Sequence, residues 1–387
     1  MYTSHDVLDG ARTFAQQELT GQQRYLDSFE EAPLPLYKRF HDQGLSNWWL
    51  PEEYGGHNIG LEDSVDIVSE LAYGDAGAAF TLFISILGTT MVQLYGSEEL
   101  RERHLTALTE NGGFCATLGS EQAAGSELAK ITTTIARDGG DLVISGDKYF
   151  STNTGFADFL IVVGRSAENP GEFLAVLVPR HTPGLRVVRR WEMIGLRSSA
   201  TYEVAFDGCR VPAANALQGP GLRLLEVALN ASRILIATTA LGISRRVRDL
   251  CMEYAENKPL QDGYLVDNPV FMSKLGGMET QIEVMRSQCR AAAREFDSIM
   301  AGPDAASAFV RHGTLRSALA AKMFCGQAGW QVAGSGSEMF GGLGFTNEHV
   351  IGKLLRDVRY VSIVEGGDAV LEELMFNRYV LPEPRRG

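Results

Sequence analysis

The stretch FLIVVGRSAENPGEFLAVLVP (residues 159–179) decides the fold class, because it predicts two β-strands around a turn in a chain that otherwise looks helical. Its two ends are short runs rich in Val, Leu, Ile and Phe, and the polar segment between them contains Asn-Pro-Gly, which is typical of a turn. Similar runs, such as DLVISG and YEVAFDGCRVP, continue this pattern from about residue 113 to 215. The spacing predicts a compact antiparallel barrel or sandwich without crossover helices.

The segments on both sides of this β-region predict helices. Residues 1 to about 110 have a helical pattern that LPEEYGG (50–56) interrupts with a turn. After about residue 217, apolar residues recur at steps of three and four, from Ile236 to Tyr254 and again from Phe271 to Phe296. We therefore predict a mainly α protein with a small β-domain: an N-terminal helical domain (1–112), a central antiparallel β-barrel or sandwich (113–216) and a C-terminal helical bundle (217–387).

The composition excludes several classes of protein. The chain has 387 residues, 45% of them hydrophobic, which is enough for more than one core, and its 21% of charged residues argue against global disorder. A net charge of -13 argues against a nucleic-acid partner, because phosphate contacts need clustered Lys and Arg. The five cysteines form no CxxC motif, and the N-terminus has no basic and apolar regions of a signal peptide, so we expect reduced thiols in a cytoplasmic protein.

An uncharged stretch from residue 76 to 97 is long enough to be compared with a membrane span. Gly, Ser, Thr and Gln interrupt it, and no Lys or Arg cluster flanks it. We predict one or two buried core helices there and no membrane span.

Two segments contain candidate functional residues, and neither indicates a metal. At the entry to the β-region, CATLGSEQAAGSELA (115–129) has small residues and hydroxyls in succession, so that backbone N–H groups can approach a flat ring or a phosphate; a generic loop is the alternative. Near the C-terminus, Glu365 follows apolar Ile363 and Val364 and precedes two glycines. Apolar surroundings disfavour a charged carboxylate, so Glu365 is either a base that works near neutral pH or a surface residue at a helix end.

Six motifs then occur in one order along the chain. They are LPEEYGG (50–56), SEQAAGSE (120–127), FSTN (150–153), MIGLRSS (193–199), GGLGF (341–345) and RDVRYVSIVEGG (356–367). In these motifs, and in the succession of helical, β and helical regions, the chain resembles the acyl-CoA dehydrogenase family over essentially its whole length. The resemblance implies an enzyme that binds FAD and oxidises an acyl thioester.

The resemblance also implies roles for individual residues. Glu365 matches the catalytic base, and Arg233 matches an arginine close to it. Some relatives have the base at the position of Ser232 instead, and a serine cannot serve. The matching cofactor-binding positions are Cys115, Ser120, Gly125, Ser126, Phe150, Thr152, Lys258, Gly341 and Gly342, of which the last two belong to a loop that contacts the adenosine end of FAD from a neighbouring subunit. The matching substrate-binding positions are Ser126, Asn230, Arg233 and Gly366.

The sequence departs from the family pattern at the phosphate and adenine end of FAD. Asn257 stands where the family has an arginine for the pyrophosphate, and Lys258 beside it supplies a cation without the bidentate geometry. The other replacements are Leu260 for a phenylalanine, Glu338 for a glutamine, and Gly367 and Ala369 for a threonine and a glutamine. These changes predict weaker FAD binding than is usual in the family.

The activity that the resemblance implies is α,β-dehydrogenation, in which Glu365 takes the α-proton of an acyl thioester while a hydride passes from the β-carbon to flavin N5. The acyl group is expected on CoA or on an acyl carrier protein. An electron-transfer flavoprotein or oxygen is expected to reoxidise the flavin, and the expected assembly is a homotetramer or homodimer. Three alternatives stay open: an acyl-carrier-protein-linked dehydrogenase of specialised metabolism, a flavin monooxygenase of the same fold, and a non-catalytic homologue without flavin.

Overall fold

The computed structural model describes residues 2–28, 31–260 and 263–382. Residue 1 and residues 383–387, the ends of the first and last predicted domains, lie outside the described residues. Thr3 caps the first helix, since its side chain accepts a hydrogen bond from the Asp6 N–H, and Gly112 ends the seventh with a φ of 61°. The N-terminal helices are α1 Ser4–Phe14, α2 Gln23–Leu26, α3 Leu34–Asp42, α4 Leu61–Gly74, α5 Ala76–Phe83, α6 Ile86–Tyr95 and α7 Glu98–Asn111.

The predicted turn at residues 50–56 is confirmed. Glu52–Tyr54 form a single 3₁₀ turn, and Gly55 has a φ of 84°, which favours glycine. A Cβ on Gly56 would lie 2.0 Å from the carbonyl oxygen of Leu50, so the close approach of the backbone to itself requires glycine there too.

Two segments of the described chain are long and apolar enough to cross a membrane by length and composition, Ala76–Tyr95 and Gly221–Asn257. In the fold, 83% and 94% of their most apolar windows are buried. Core helices of folded proteins pass the same test, so these two segments are weak evidence for a span. The prediction of buried core helices at 76–97 is confirmed by α5 and α6.

The central region is one curled sheet, in the order β1-β4-β2-β3-β7-β6, with β5 paired to the other edge of β4. Its strands are β1 Cys115–Leu118, β2 Thr134–Asp138, β3 Asp141–Thr152, β4 Phe159–Ser166, β5 Phe173–Pro179, β6 Leu185–Arg190 and β7 Thr201–Pro212. The quoted stretch is the antiparallel pair β4–β5, with Phe159 opposite Pro179 and Arg165 opposite Phe173.

The small β-domain is confirmed, but its sheet is mixed and not wholly antiparallel. Strand β4 runs parallel to β1 along its first half and parallel to β2 at its end. The period-two pattern of a strand reports which side chains are buried and not the direction of the neighbouring strand, so the sequence did not distinguish the two arrangements.

The C-terminal region returns to helix, with a short β-ladder between α8 and α9. Its elements are α8 Gly221–Asn257, β8 Pro259–Leu260, β9 Gly263–Tyr264, α9 Pro269–Met300, α10 Ala305–His312, α11 Arg316–Met339, α12 Ile351–Val358 and α13 Asp368–Met375. Buried side chains of the N-terminal and C-terminal helices form one continuous core, and the sheet has a smaller core of its own. The helical, β, helical architecture is therefore confirmed, while the domain boundaries at 112 and 216 stay a prediction.

Candidate active site

A cavity of about 1150 Å³ lies between the sheet, helices α5, α6 and α8, and the turn that joins α12 to α13. The structure brings most of the predicted site residues into its wall. They are Cys115, Ser120, Gly125, Ser126, Phe150, Thr152, Arg233, Glu365 and Gly366.

Glu365 lies at the α12–α13 turn in a left-handed conformation, with a φ of 53°. Gly366 follows with a φ of 99°, and Gly367 caps α13, so the two glycines let the chain reverse directly after the glutamate. One carboxylate oxygen accepts a hydrogen bond from the Ser232 hydroxyl at 2.7 Å. Burial raises the pKa of Glu365 to about 7, although the Ser232 hydrogen bond and the charges of Arg233 and Lys322 oppose this effect.

Arg233 is buried next to Ser232 on α8 and holds the backbone of Glu365. Its Nε and Nη2 donate to the Glu365 carbonyl oxygen at 3.1 and 2.8 Å. From α11, the buried Lys322 donates its Nζ to the next carbonyl oxygen, that of Gly366, at 2.8 Å. Two cations therefore fix two consecutive carbonyls of the turn.

The sheet wall of the cavity is aromatic and strained at one residue. Phe150 has a φ of 53° at a register shift between β3 and β7, and its ring is 57% exposed. It stacks on Trp191, with ring centroids 4.7 Å apart, and the Arg189 guanidinium lies 3.7 Å from the centroid of the same Trp191 ring. Thr152 follows this register shift, opposite Thr201 on β7, and its hydroxyl contacts that of Thr201 at 3.1 Å.

A buried ion pair holds the small-residue loop that follows β1. Lys148 donates to the Gly119 carbonyl and to Glu121, both at 2.9 Å. Glu121 also accepts hydrogen bonds from the backbone of Thr132 at 2.7 Å and of Thr133 at 3.0 Å. The loop from Ser120 to Ser126 is therefore held in place at the rim of the cavity.

Comparison with known proteins agrees with this geometry. The N-terminal, middle and C-terminal domains of acyl-CoA dehydrogenase match residues 3–112, 116–209 and 219–379. The chain belongs to the acyl-CoA dehydrogenase family.

The similar proteins cover the chain almost end to end. An acyl-CoA dehydrogenase of Bacillus subtilis is 28% identical over 375 residues, 96% of each chain. The cyclohexane-1-carbonyl-CoA dehydrogenase of Geobacter metallireducens is 29% identical over 383 residues, 97% of each chain. Among solved structures, butyryl-CoA dehydrogenase from Megasphaera elsdenii superposes with a TM-score of 0.89 at 25% identity, over 98% of this chain and 99% of that one.

FAD is the cofactor of the acyl-CoA dehydrogenase family, and the cavity has the groups that a flavin ring needs. Among the described residues, four polar atoms in its wall are buried and have no hydrogen-bond partner, which is unusual for a folded protein. Together with the exposed face of Phe150, they offer an aromatic surface and unpaired polar atoms to a flat heteroaromatic ring. The four atoms are Thr117 Oγ1, Trp191 Nε1, Ser199 Oγ and Arg233 Nη1.

Four residues that the family pattern predicts for ligand binding lie outside the cavity wall. The side-chain amide of Asn230 is fully engaged, because it donates to Val227 and Gly313 and accepts from the Leu315 N–H. Lys258, Gly341 and Gly342 are exposed, at the end of α8 and after α11. Their contact with the adenosine end of FAD across a subunit interface stays a prediction.

Three residues at the site were not predicted to bind or act. Ser232 was considered only as a position without a base, yet its hydroxyl donates to the Glu365 carboxylate. Trp191 lies two residues before a family motif and carries no signal of its own. Lys322 does carry one, because it is a lone charge in the run of small and apolar residues from Ala318 to Gly326.

Proposed function

We propose that this protein removes the α-proton of an acyl thioester with Glu365 as the base, in an FAD-dependent α,β-dehydrogenation. The observation that carries this proposal is the placement of Glu365. Its carboxylate lies in the cavity wall, with Ser232 as its one hydrogen-bond partner among the described residues, and its pKa of about 7 lets it accept a proton near neutrality.

The backbone at Glu365 supports the same chemistry. Within the described part of the chain, no residue accepts a hydrogen bond from the Glu365 N–H. A thioester carbonyl that accepts this hydrogen bond would have a more acidic α-carbon, because the N–H stabilises the negative charge that develops on the oxygen. The same residue would thus polarise the carbonyl and receive the proton.

The remaining walls divide between cofactor and acyl chain. Phe150, Trp191, Ser120 and Thr152 would hold the flavin ring, which when bound supplies the acceptor for the hydride that leaves the β-carbon. Apolar side chains of α5, α6 and α8 would surround the acyl chain and exclude water. They are Phe80, Ile84, Leu87, Leu222, Leu225 and Leu229.

The carrier and the partners follow the family as proposals. The relatives are described as acting on CoA thioesters, which favours CoA over an acyl carrier protein for this chain. An electron-transfer flavoprotein or oxygen would reoxidise the flavin in the cytoplasm.

We also propose a homotetramer or homodimer, because apolar side chains are exposed on α9, α11 and the turn after α11. Light scattering at micromolar concentration should give a mass at least twice that of the 42.2 kDa chain, and a monomer would contradict the proposal. The exposed side chains are Val270, Met272, Val284, Trp330, Leu343 and Phe345.

The test is anaerobic reduction of the FAD-reconstituted enzyme by a panel of acyl thioesters, presented on CoA and on a carrier protein. Glu365→Gln should slow reduction by about 10²–10⁴-fold, because the nearly isosteric amide cannot accept a proton. Thioester binding should be kept. The matched control is Glu372→Gln, an exposed glutamate on the following helix, which should react at the wild-type rate.

Each alternative gives a different result in this experiment. A non-catalytic homologue would bind no FAD and show no thermal shift with it. A monooxygenase would not need Glu365, so a Glu365→Gln enzyme with more than about a tenth of the wild-type reduction rate would rule Glu365 out as the base.

A further inference from the structure

Three lysines are buried in the described part of the chain, and one of them lacks a carboxylate partner. Lys148 pairs with Glu121 at 2.9 Å, and Lys353 pairs with Asp75 at 2.7 Å and also with Asp357. Lys322 is 0% exposed, and no described carboxylate lies within 4.0 Å of its Nζ. A buried ammonium without an ion pair is costly, so its presence at this position requires an explanation.

Within the described ranges, Lys322 makes one hydrogen bond, and it is directed at the turn that carries Glu365. Its Nζ donates to the Gly366 carbonyl at 2.8 Å, while Arg233 donates to the Glu365 carbonyl. The two cations come from different helices, α11 and α8, and hold consecutive peptide groups. Since Glu365 is a non-glycine residue with a positive φ, the turn is strained and needs such contacts to persist.

We infer that Lys322 is a positioning residue for Glu365, fixing the turn through the Gly366 carbonyl and adding positive charge beside the carboxylate. This inference rests on the proposed function of Glu365 as the base. Lys322 does not line the cavity, so it acts without contact with the substrate.

The charges around the turn support an electrostatic part for Lys322. Arg233 and Ser232 face Glu365 from α8, and Lys322 faces it from α11. Tyr360, in the 3₁₀ turn after α12, is the further titratable group on this side. Asp368 faces Lys322 and Glu226 faces Arg233, each as a more remote anion.

Two cations therefore flank one carboxylate. Burial lowers the pKa of Lys322 to about 8, so the ammonium form still predominates at neutral pH. When Glu365 takes a proton and becomes neutral, both cations remain and favour the negative charge that develops on the thioester oxygen.

The test compares Lys322→Met, which removes donor and charge, with Lys322→Gln, which removes the charge and keeps a donor. The pKa of Glu365 is titrated directly by infrared difference spectroscopy, with Glu365→Gln used to assign its band. In Lys322→Met this pKa should rise by about 0.5–1 unit, because a neighbouring cation is lost. Lys38→Met removes an exposed charge on α3 and should leave the pKa unchanged.

The pH dependence of turnover separates the two effects of Lys322, its hydrogen bond to the turn and its positive charge. The acid limb of the kcat profile should move to higher pH with the Glu365 pKa in both variants. The plateau at high pH, where Glu365 is ionised regardless, should fall by about tenfold in Lys322→Met with little change in KM, and should recover in part in Lys322→Gln.

An unchanged Glu365 pKa together with an unchanged plateau would show that Lys322 only fills the core. Failure of both variants to fold would assign Lys322 to the fold itself and would also overturn the inference. Because the infrared titration needs no turnover, these failures are distinct from the failure of Glu365 as a base, which only the Glu365→Gln reduction rate reports.

Discussion

Two glutamates in the wall of the same cavity are held in opposite ways. Glu121 accepts hydrogen bonds from Lys148, from the backbone of Thr132 and Thr133, and from the Thr132 hydroxyl. Among the described residues, the carboxylate of Glu365 accepts one, from Ser232. Burial raises the pKa of both carboxyls, but the bonds to Glu121, led by that of Lys148, outweigh it and lower the pKa to about 2, whereas that of Glu365 stays at about 7.

The difference shows how the surroundings of a carboxylate set its pKa. Burial raises the pKa of both carboxyls, and the two differ further in the number of groups that donate hydrogen bonds to them. Each donor stabilises the charged form and holds the oxygens in place. Glu121 is thereby fixed as a permanent anion that anchors the loop after β1, and Glu365 remains free to exchange a proton with a ligand.

The largest effect on stability is expected when the buried ion pair of Lys148 and Glu121 is broken. Lys148→Met leaves the Glu121 carboxylate buried without its ammonium, which should cost about 3–5 kcal/mol in the free energy of unfolding. Urea denaturation with and without FAD measures this loss. Lys130→Met, which removes an exposed lysine that pairs with Glu127 near the same loop, is the control and should cost less than about 1 kcal/mol. A similar cost for both variants would mean that Glu121 does not depend on Lys148.

The second prediction is an opposite pH dependence of stability for the two glutamates. The pKa of Glu121 is lowered, so its contribution is present above the unfolded value of about 4.3 and is lost as pH falls towards about 2. The pKa of Glu365 is raised, so stability is lost as pH rises from about 4.3 through about 7. Relative to wild type, Glu365→Gln should therefore gain about 3–4 kcal/mol of unfolding free energy between pH 4 and 8.

Glu121→Gln should show no such gain. Its free energy of unfolding should stay below that of the wild type, and this difference should shrink only as pH falls from about 4.3 towards about 2. Unfolding free energies of the two variants and the wild type across pH 3–8 provide the comparison. Parallel curves for the two variants would show that the two carboxyls do not differ in their proton affinity.

The sequence predicts part of this contrast between Glu121 and Glu365, and part of it depends on the fold. Local composition indicated Glu365, because apolar residues and glycines surround it in sequence as well as in space. Glu121 lies in a recognisable motif, but its hydrogen bonds depend on Lys148 from β3 and on the backbone of Thr132 and Thr133, directly before β2, which the sheet brings together. The architecture followed from hydrophobic periodicity, whereas the parallel pairing of β1 and β4 did not, because periodicity is the same for both strand directions.

The same limit explains the residues that sequence reasoning missed or misjudged. Arg233 was expected near the base, but its contact with the carbonyl of Glu365, and not with its carboxylate, depends on how the turn crosses α8. Lys322 is 43 positions from Glu365 in the sequence, and only the packing of α11 against the turn makes them neighbours. Contacts of this kind are set by helix packing, which a single sequence does not specify.

The smallest expected effect is also the most direct test of the comparison, because it removes the one hydrogen bond that the Glu365 carboxylate accepts within the described part of the chain. Ser232→Ala should raise the pKa of Glu365 by up to about one unit, since the hydroxyl donates to the charged form and Arg233 and Lys322 stay in place. The acid limb of the kcat profile should move to higher pH by the same amount, with an unchanged plateau. Ser244→Ala is the matched control, because Ser244 is a buried serine of the same helix whose hydroxyl has no hydrogen-bond partner among the described residues.

The direction in which the pKa of Glu365 shifts in Ser232→Ala shows which protonation state the hydrogen bond stabilises. If the Ser232 hydroxyl instead accepted a hydrogen bond from the neutral carboxylic acid, its loss would destabilise the protonated form, and the pKa of Glu365 would fall. An acid limb of the kcat profile that moves to lower pH would therefore show that the neutral carboxylic acid donates this hydrogen bond. Burial, and not a hydrogen bond to the carboxylate, would then set the pKa of Glu365. An unchanged pKa of Glu365 in Ser232→Ala would mean that only the charges of Arg233 and Lys322 counteract the rise in pKa that burial causes. Glu121 and Glu365 would then differ in their neighbouring charges and not in their hydrogen bonds.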